Sequence, residues 1–485
     1  MGLVFLLWGL LFQGSRGIWE PDEGFYSNVG LGMARSGDWV VPRLNGEPFL
    51  DKPPLHYWSM AAGMLLLGEN EWGARLGQAL WFLLTAWLIG AIAARLWGDP
   101  RLRLRGAAIY AVSLLPFLAA NAITTDTPLA FWAALAAYAY VRSREQPERW
   151  RWMLLCGGAV GFGMLTKGPA ALMLAAPLGL DSFFGRRHRP WLPDLLAAAV
   201  AAALGASWYL AIAHRLPGAL DYILDNQVTG RLVNGTYGRN PGWRGALIYI
   251  PVLLLGALPW SMFWPGWIRR LWDLRRAPGG WRLLRDDPAW RLVTLWLLLP
   301  LLVLLAAQSR LPLYALPLLS PLALCATRLI PEPGLERGRF WQLWKPALGG
   351  WCLLLLVAKA VPAYWPQDAD SRAMAAALAK LEPDRATPIL MMEVKRNGLK
   401  MYGFDDLRPA AVRRAPYKFF VEVPPLADVL ASLQASHVVI LLGGENLEKT
   451  RRILAGTQWT CTETKGPFRY HFFSCREGAT ARRPA

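Results

Sequence analysis

The sequence predicts a mainly α-helical, polytopic membrane protein with juxtamembrane helices in its first external loop and a small α/β domain at the C-terminal end. Of the 485 residues, 54% are hydrophobic, and they form runs whose length approaches the ~20 residues that cross a bilayer. The 26 tryptophans suit the membrane interface, where an amphipathic ring prefers the headgroup region. Arginines are concentrated between the apolar runs. We therefore expect a transmembrane bundle of about eleven spans.

The apolar runs give the positions of the spans. The first, residues 1–12, reads MGLVFLLWGLLF, and we interpret it as a membrane helix. The remaining spans are predicted at 73–97, 105–122, 127–141, 152–166, 168–184, 192–213, 245–264, 289–307, 311–329 and 346–362.

The net charge of +18 raises the question of a nucleic-acid ligand. The positions of the basic residues argue against one, because they lie in short groups rather than on one continuous face. These groups fall on alternate loops and therefore on one side of the membrane, which the positive-inside rule identifies as the cytoplasm. They lie at 95–105, 142–151, 186–189, 269–285 and 328–345.

This charge pattern also predicts the orientation in the plasma (inner) membrane. The N-terminus is cytoplasmic and the C-terminal domain is external, or periplasmic. The apolar segment 55–68 then has both ends outside, so we predict a helix at the interface and not a crossing. The same parity places Asp126, Lys167, the 214–244 loop and Arg310 on the external side.

Two domains are predicted. The transmembrane domain covers residues 1–362, and its first external loop, 15–72, carries the candidate site. The α/β domain covers 363–485, where strand-like runs (ATPILMMEV, SHVVILLG, YHFFSC) alternate with helical ones. Within it, Cys461 and Cys475 lie on two strand-like segments around a turn, and we predict that they form a disulfide in an oxidising compartment.

The polar stretch 18–58 is the main candidate for function. It follows the first apolar run and collects many charged residues, which are costly to dehydrate at a membrane surface and often mark a substrate site. Prolines lie next to the acid pair Asp22-Glu23 and next to the acid–base pair Asp51-Lys52, so these side chains are held in place. The alternative is a solvated loop whose acids balance nearby arginines. The charged residues include Glu20, Asp22, Glu23, Asp38, Glu47, Asp51 and Lys52.

Two motifs in this stretch, PDEGFY and GDWVVPRLNGEPFLDKPPLHYW, resemble the first external loop of polyprenyl-phosphate-dependent membrane glycosyltransferases of the GT-C type. The pattern is similar to that of lipid A aminoarabinose transferases and protein mannosyltransferase-like enzymes. It continues through TTDTPLAFW, LTKGPA, LGALPW and SRLPLYALP up to about residue 365. The sequence departs from the family at Phe25, where an arginine is usual, and at Phe49-Leu50.

The resemblance implies the catalytic residues. Transfer of a sugar from a lipid phosphate to a hydroxyl or amine needs a carboxylate that takes the acceptor's proton, and Asp22 stands where the family carries it. Asp126 stands where the family has an acid that shares in activating the acceptor or in positioning the base. Each also has an alternative as a helix N-cap. Asp51 stands where relatives have glutamate, which makes it either a ligand of a divalent metal or a salt-bridge partner of Lys52.

The remaining site residues would bind substrate. The phosphate leaving group calls for fixed cations, and the resemblance implies Lys52 for this task, with an interfacial lysine as the alternative. Other cations on the same side could also be interfacial anchors, and the tyrosines could simply pack. The predicted substrate-binding residues are Lys52, Lys167, Arg231, Glu23, Tyr26, Arg310 and Tyr314.

These observations predict an inverting glycosyltransferase that uses a polyprenyl-phosphate sugar and modifies a lipid such as lipid A, a glycan or a protein; the inversion is implied by the resemblance. A divalent metal is the single cofactor considered, and the other partners are membrane lipids. The alternatives are a transporter or flippase of lipid-linked sugars and an inactive scaffold. A transporter would show two matching halves with polar groups at the midplane, whereas the charges here lie in external loops.

Overall fold

The computed structural model describes residues 2–145, 149–185, 190–225, 239–265, 268–269, 272, 276, 287–330, 339–365, 367–419 and 421–478. The chain forms two compact units, which are described separately below. The first comprises Met1–Leu11, Lys52–His56 and Gly77–Lys359. The second comprises Phe12–Asp51, Tyr57–Leu76 and Ala360–Ala485. The division at residue 362 made from the sequence stays a prediction.

All regular secondary structure in the described residues of the first unit is helical. Its core is built from apolar faces of these helices, with Trp296, Tyr110 and Phe117 among the largest fully buried side chains. The helix Glu71–Leu96 begins in the second unit, and the helix Arg339–Tyr364 ends there. The other helices are Gly2–Leu10, Leu102–Ala111, Leu114–Ala119, Asp126–Glu145, Arg149–Lys167, Ala170–Phe184, Leu192–Arg215, Ala219–Tyr222, Gly242–Ala246, Tyr249–Gly256, Trp260–Phe263, Pro288–Ala306, Pro312–Leu318 and Leu319–Leu329.

Most predicted spans coincide with these helices, which confirms the polytopic helical fold class. Within the described residues, five helices are long and apolar enough to cross a membrane. The count of about eleven spans stays a prediction. The five are Glu71–Leu96, Leu192–Arg215, Pro288–Ala306, Pro312–Leu329 and Trp344–Tyr364.

Two predicted spans, 105–122 and 245–264, are wrong as continuous helices. The first is interrupted at Ser113, whose backbone is extended, and the second before Trp260 at Pro259, which has no N–H to donate. The two interruptions bond to each other. The amide of Leu114 donates to the Leu258 carbonyl at 3.1 Å, and Trp260 Nε1 donates to the Ile109 carbonyl at 2.8 Å. Backbone groups freed by a break inside a bundle need such partners.

Small residues allow two helices of this unit to pack closely against each other. The sequence GGAVGFG lies in the helix Arg149–Lys167, against the helix Leu192–Arg215. A Cβ on Gly157 would overlap the Ala197 carbonyl, and one on Gly161 would lie 2.7 Å from Leu204 Cβ. The four-residue spacing places both glycines on one face, as in close-packed membrane helices. These glycines therefore serve helix packing.

A buried carboxylate ties several helices together in the same unit. Asp181 is fully buried and accepts hydrogen bonds from Tyr140 Oη at 2.7 Å, Arg144 Nη1 at 3.2 Å and Arg291 Nε at 2.6 Å. A buried charge is tolerated when it is paired and hydrogen-bonded in this way. We interpret Asp181 as a structural residue.

The second unit begins with residues of the loop that is predicted from the sequence to be external, 15–72. It contains the helix Asp22–Ser36, the strand pair Arg43–Leu44 and Glu47–Pro48, and most of the helix Leu55–Leu67. The last helix has 13 residues, which at 1.5 Å per residue span roughly 20 Å, short of the ~30 Å hydrocarbon core. This length supports the prediction that 55–68 does not cross the membrane.

The C-terminal part of the unit is an α/β domain, as predicted. Its five-stranded sheet has the order Leu407–Ala410, Ile389–Met392, His437–Gly443, Tyr470–Glu477, Trp459–Lys465. The first three strands are parallel and the last two are antiparallel to their neighbours. The remaining elements are the strands Ala415–Phe419 and Val421–Val423 and the helices Ser371–Leu381, Asn397–Tyr402, Leu426–Ser432, Gly444–Asn446 and Leu447–Ala455.

The predicted disulfide is confirmed. Cys461 and Cys475 are direct partners in the antiparallel pair of the last two strands and are bonded to each other. The turn between these strands is closed by the Gly466 amide, which donates to the Tyr470 carbonyl at 2.9 Å.

Candidate active site

Asp22 is the first residue of the helix Asp22–Ser36 and is exposed. The N-cap position belongs to Pro21, so the capping alternative finds no support in the helix start. An acid in the first turn is favoured by the helix dipole. Its exposure leaves the carboxylate accessible to an acceptor.

Glu23, the next residue, is buried in a network of arginines within the same unit. Its carboxylate accepts from Arg16 Nη1 and Nη2, each at 2.7 Å, from Arg75 Nη2 at 2.8 Å, and from the Trp19 amide at 2.9 Å. Burial alone would raise the pKa of Glu23, but the two guanidinium groups hold it below its ordinary value. Arg75 also donates to the carbonyls of Gln13, Arg16 and Gly17.

The motif residues that depart from the family pack against each other. The rings of Phe25 and Phe49 are stacked with centroids 5.9 Å apart, and Tyr57 lies at the edge of Phe49. Tyr26, a predicted binding residue, is half-buried with its ring 6.0 Å from that of Tyr57. Offset and edge contacts of this kind contribute about 0.5–1.5 kcal/mol beyond burial.

In the first unit, the charges of two lysines act on one imidazole. Lys52 and His56 are both buried. Burial, together with the charges of Lys52 and Lys167, lowers the pKa of His56 to about 3. His56 is therefore neutral at physiological pH.

Lys167 is fixed on two sides. Its ammonium donates to Asp126 Oδ1 at 2.5 Å and lies 4.2 Å from the centre of the Tyr314 ring. The other oxygen of Asp126 accepts from Thr124 Oγ1 at 3.1 Å, and the Asp126 amide donates to the same hydroxyl. Asp126 begins its helix and at the same time holds a lysine that the sequence analysis treated separately.

Arg310 is turned toward backbone carbonyls. It is buried and donates to Leu304, Leu305, Asn240 and Gly242 at 2.7–3.1 Å. These contacts link the segment around Asn240 to the segment around Leu304 through the Arg310 side chain. Arg231, the remaining predicted cation, lies outside the described residues.

Asp51 is half-buried at the end of the polar stretch, in the second unit. Its charge adds to burial in raising the pKa of Tyr57. Across the described residues, no three His, Cys, Asp or Glu side chains come together as metal ligands. Asp51 as a metal ligand stays a prediction.

Sequence reasoning missed Arg16, Arg75 and the role of Glu20. Arg75 lies inside the predicted span 73–97, and a charged residue in an apolar run is a recognised signal of an internal partner. That signal could have found it. Glu20 carries no comparable local signal because its partners Ser371 and Gly398 lie far along the chain.

The comparisons with known proteins agree with this architecture. The family model described as dolichyl-phosphate-mannose-protein mannosyltransferase matches residues 51–213. An undecaprenyl phosphate-alpha-4-amino-4-deoxy-L-arabinose arabinosyl transferase of Pseudomonas fluorescens is 30% identical over 349 residues, which are 70% of this chain and 59% of the relative. Its counterpart in Sodalis glossinidius is 32% identical, over 67% of this chain and 58% of the relative. The chain thus spans about three fifths of the length of these curated relatives.

Solved structures show the fold. ArnT from Cupriavidus metallidurans, bound to undecaprenyl phosphate, superposes with a TM-score of 0.76 at 20% identity, covering 100% of this chain and 98% of that one. The oligosaccharyltransferase of Archaeoglobus fulgidus gives 0.52 at 12% identity, over 99% and 74% of the two chains. The chain therefore has the fold of ArnT, a multi-pass membrane fold of the GT-C type, and the resemblance to polyprenyl-phosphate-dependent membrane glycosyltransferases that the motifs indicated is confirmed.

Proposed function

We propose that this protein is a glycosyltransferase that moves a sugar from a polyprenyl-phosphate donor to a lipid, glycan or protein acceptor at the external face of the plasma membrane. The observation that carries the proposal is the match in fold to ArnT over the whole chain, together with relatives named as undecaprenyl-phosphate sugar transferases. The charges of Lys52 and Lys167 both act on His56, and fixed cations of this kind would stabilise a phosphate leaving group. The names of the relatives, all transferases, favour this function over a lipid-sugar flippase.

In the proposed reaction the Asp22 carboxylate takes the proton of the acceptor hydroxyl or amine. The acceptor atom attacks the anomeric carbon with inversion, the bond from that carbon to the phosphate oxygen breaks, and polyprenyl phosphate leaves with the electron pair. Lys52, Lys167 and Arg231 would stabilise the charge that the phosphate gains. Tyr26 and Tyr314 would line the substrate path.

The geometry supports positioning roles for three of the predicted residues. The Glu23 carboxylate accepts hydrogen bonds from two arginines and a backbone amide, so we propose that it shapes the loop that carries Asp22. Asp126 would hold Lys167 toward the phosphate. Arg310 would fix the segment around Asn240.

The orientation belongs to the same proposal. The loop-charge pattern supports a cytoplasmic N-terminus and an external C-terminal domain. The donor headgroup and acceptor would then meet on the external side. For the sugar, the names of the relatives suggest 4-amino-4-deoxy-L-arabinose or mannose as the first donors to test.

The test compares two variants of the full chain in nanodiscs. Undecaprenyl-phosphate aminoarabinose and polyprenyl-phosphate mannose serve as donors, with lipid A and membrane protein as acceptors. Asp22→Asn cannot accept a proton, so turnover should fall by ~10²–10⁴ while donor binding is unchanged, because the lost interaction belongs to the transition state. Lys52→Ala should weaken donor binding and slow transfer. Wild-type turnover in Asp22→Asn would remove Asp22 as the base and leave that role to Asp126.

A further inference from the structure

The residues before Asp22 are paired with the start of the C-terminal domain. The Glu20 amide donates to the Ala369 carbonyl, and the Ser371 amide donates to the Ile18 carbonyl, both at 2.8 Å. Trp19 and Asp370 are antiparallel bridge partners. The segment 18–20 therefore forms a single antiparallel bridge with the residues that lead into the helix Ser371–Leu381.

The Glu20 side chain joins this pairing to the helix that begins with Asp22. Glu20 Oε1 accepts from Ser371 Oγ at 2.8 Å and from the Gly398 amide at 2.6 Å. On its other side the carboxyl lies against Gly24, where a Cβ would overlap Glu20 Oε2. A Cβ on Gly398 would lie 2.7 Å from Ser371 Oγ and 2.8 Å from Glu20 Oε1. The carboxyl thus fits between two glycines, one in each element.

A second set of hydrogen bonds holds the helix Asp22–Ser36 one turn further along the chain. Asn28 Nδ2 donates to the Asn397 carbonyl at 3.0 Å and to Asn45 Oδ1 at 2.7 Å. Asn45 Nδ2 donates to Asn397 Oδ1 at 2.8 Å. The adjacent residues 397 and 398 therefore contact the first and second turns of the helix through different partners. Two separate attachment points fix the direction of a helix as well as its position.

We propose that the C-terminal domain is a positioning element of the transfer reaction: Ser371 and Gly398 hold the Glu20 carboxyl against Gly24 and so fix the first turn of the helix that presents Asp22. This inference rests on the proposed function, in which Asp22 is the base. Glu20 acts through Asp22 and is a positioning residue. An error of about 1 Å in the place of a reacting group can cost 10²-fold in rate.

The test uses the full chain in nanodiscs with whichever donor and acceptor the wild type uses. Glu20→Ala removes the acceptor of two hydrogen bonds, and kcat should fall about tenfold or more with donor KM within twofold. Glu20→Gln keeps a carbonyl oxygen for Ser371 and Gly398, and should stay within about threefold of the wild type. Equal loss in both variants, or wild-type kcat in Glu20→Ala, would overturn the inference.

A glycine pair provides a second test in case Glu20→Ala does not fold. Gly398→Ala places a methyl group at 2.7–2.8 Å from Ser371 Oγ and Glu20 Oε1, whereas Gly444→Ala, in the same domain, finds its nearest atom at 3.4 Å. Gly398→Ala should lower kcat about tenfold with the donor KM retained, and Gly444→Ala should not. Equal turnover in the pair would refute the positioning role.

Failure of this inference is distinguishable from failure of the proposed function. A wild type that transfers no sugar from either polyprenyl-phosphate donor would refute the function itself. Turnover that is lost in Asp22→Asn and retained in Glu20→Ala and Gly398→Ala would leave the function in place and remove the positioning role alone.

Discussion

The two-arginine network around Glu23 predicts a large loss of stability when Arg75 is replaced by methionine. Arg75 is fully buried and donates to Glu23 and to three backbone carbonyls. Methionine keeps much of the volume but leaves those carbonyls without this donor and leaves Glu23 with Arg16 as its remaining guanidinium partner. Removing one partner of a buried ion pair costs about 3–5 kcal/mol. The apparent Tm should fall sharply, and turnover should fall with it because the residues around Asp22 lose their anchor.

Arg35 is a matched control for Arg75. It also contacts two carboxylates, those of Glu69 and Asp405, at 2.7 and 2.6 Å. Its side chain is 39% exposed and theirs are 44% and 58% exposed, so solvent screens the pairs and their loss should cost about 0–1 kcal/mol.

The measurement is the apparent Tm of Arg75→Met and Arg35→Met in the same nanodisc preparation. A double variant, Arg75→Met with Glu23→Gln, should not recover the loss, because the buried Arg16 then loses the Glu23 carboxylate. Equal Tm shifts for the two single variants would refute the argument, as would a double variant more stable than Arg75→Met alone.

Three further predictions follow from single contacts. Lys167→Ala should weaken donor binding while Asp126→Asn, which keeps the lysine, weakens it less, as measured by titration with undecaprenyl phosphate; the reverse order would contradict the pairing. Burial raises the pKa of Glu20 to about 8 from an ordinary 4.5, against the opposing effect of the hydrogen bonds from Ser371 and Gly398. The stability associated with protonated Glu20 is then fully present below about pH 4.5 and is lost as pH rises through about 8, so Tm should fall over that window in the wild type and not in Glu20→Gln. Cys461→Ser should lower the apparent Tm, by an amount equivalent to about 2–3 kcal/mol for so short a loop, and leave turnover near that of the wild type; a large loss of turnover would show that the sheet edge affects the reaction.

The fold could be predicted from the sequence wherever the signal is local. A run of apolar residues predicts a helix whatever it packs against, and alternating short runs predict strands, so the bundle and the α/β domain were both expected. The interruptions at Ser113 and Pro259 could not be predicted to face each other. The bond from the Leu114 amide to Leu258 joins residues far apart in the chain, and a hydropathy pattern contains no information on such pairs.

In the candidate site, too, the sequence could not predict the tertiary partners, here those of two adjacent residues. Asp22 and Glu23 form one acidic pair in the sequence, and both were expected to serve substrate. A helix turns by roughly 100° per residue, so neighbours point in different directions: Asp22 is exposed and Glu23 lies on Arg16 and Arg75. Arg75 is 52 residues away, and its place beside Glu23 depends on tertiary packing. An acidic pair at a helix start therefore indicates where a site lies, while the partners of each carboxylate decide which one is left to take a proton.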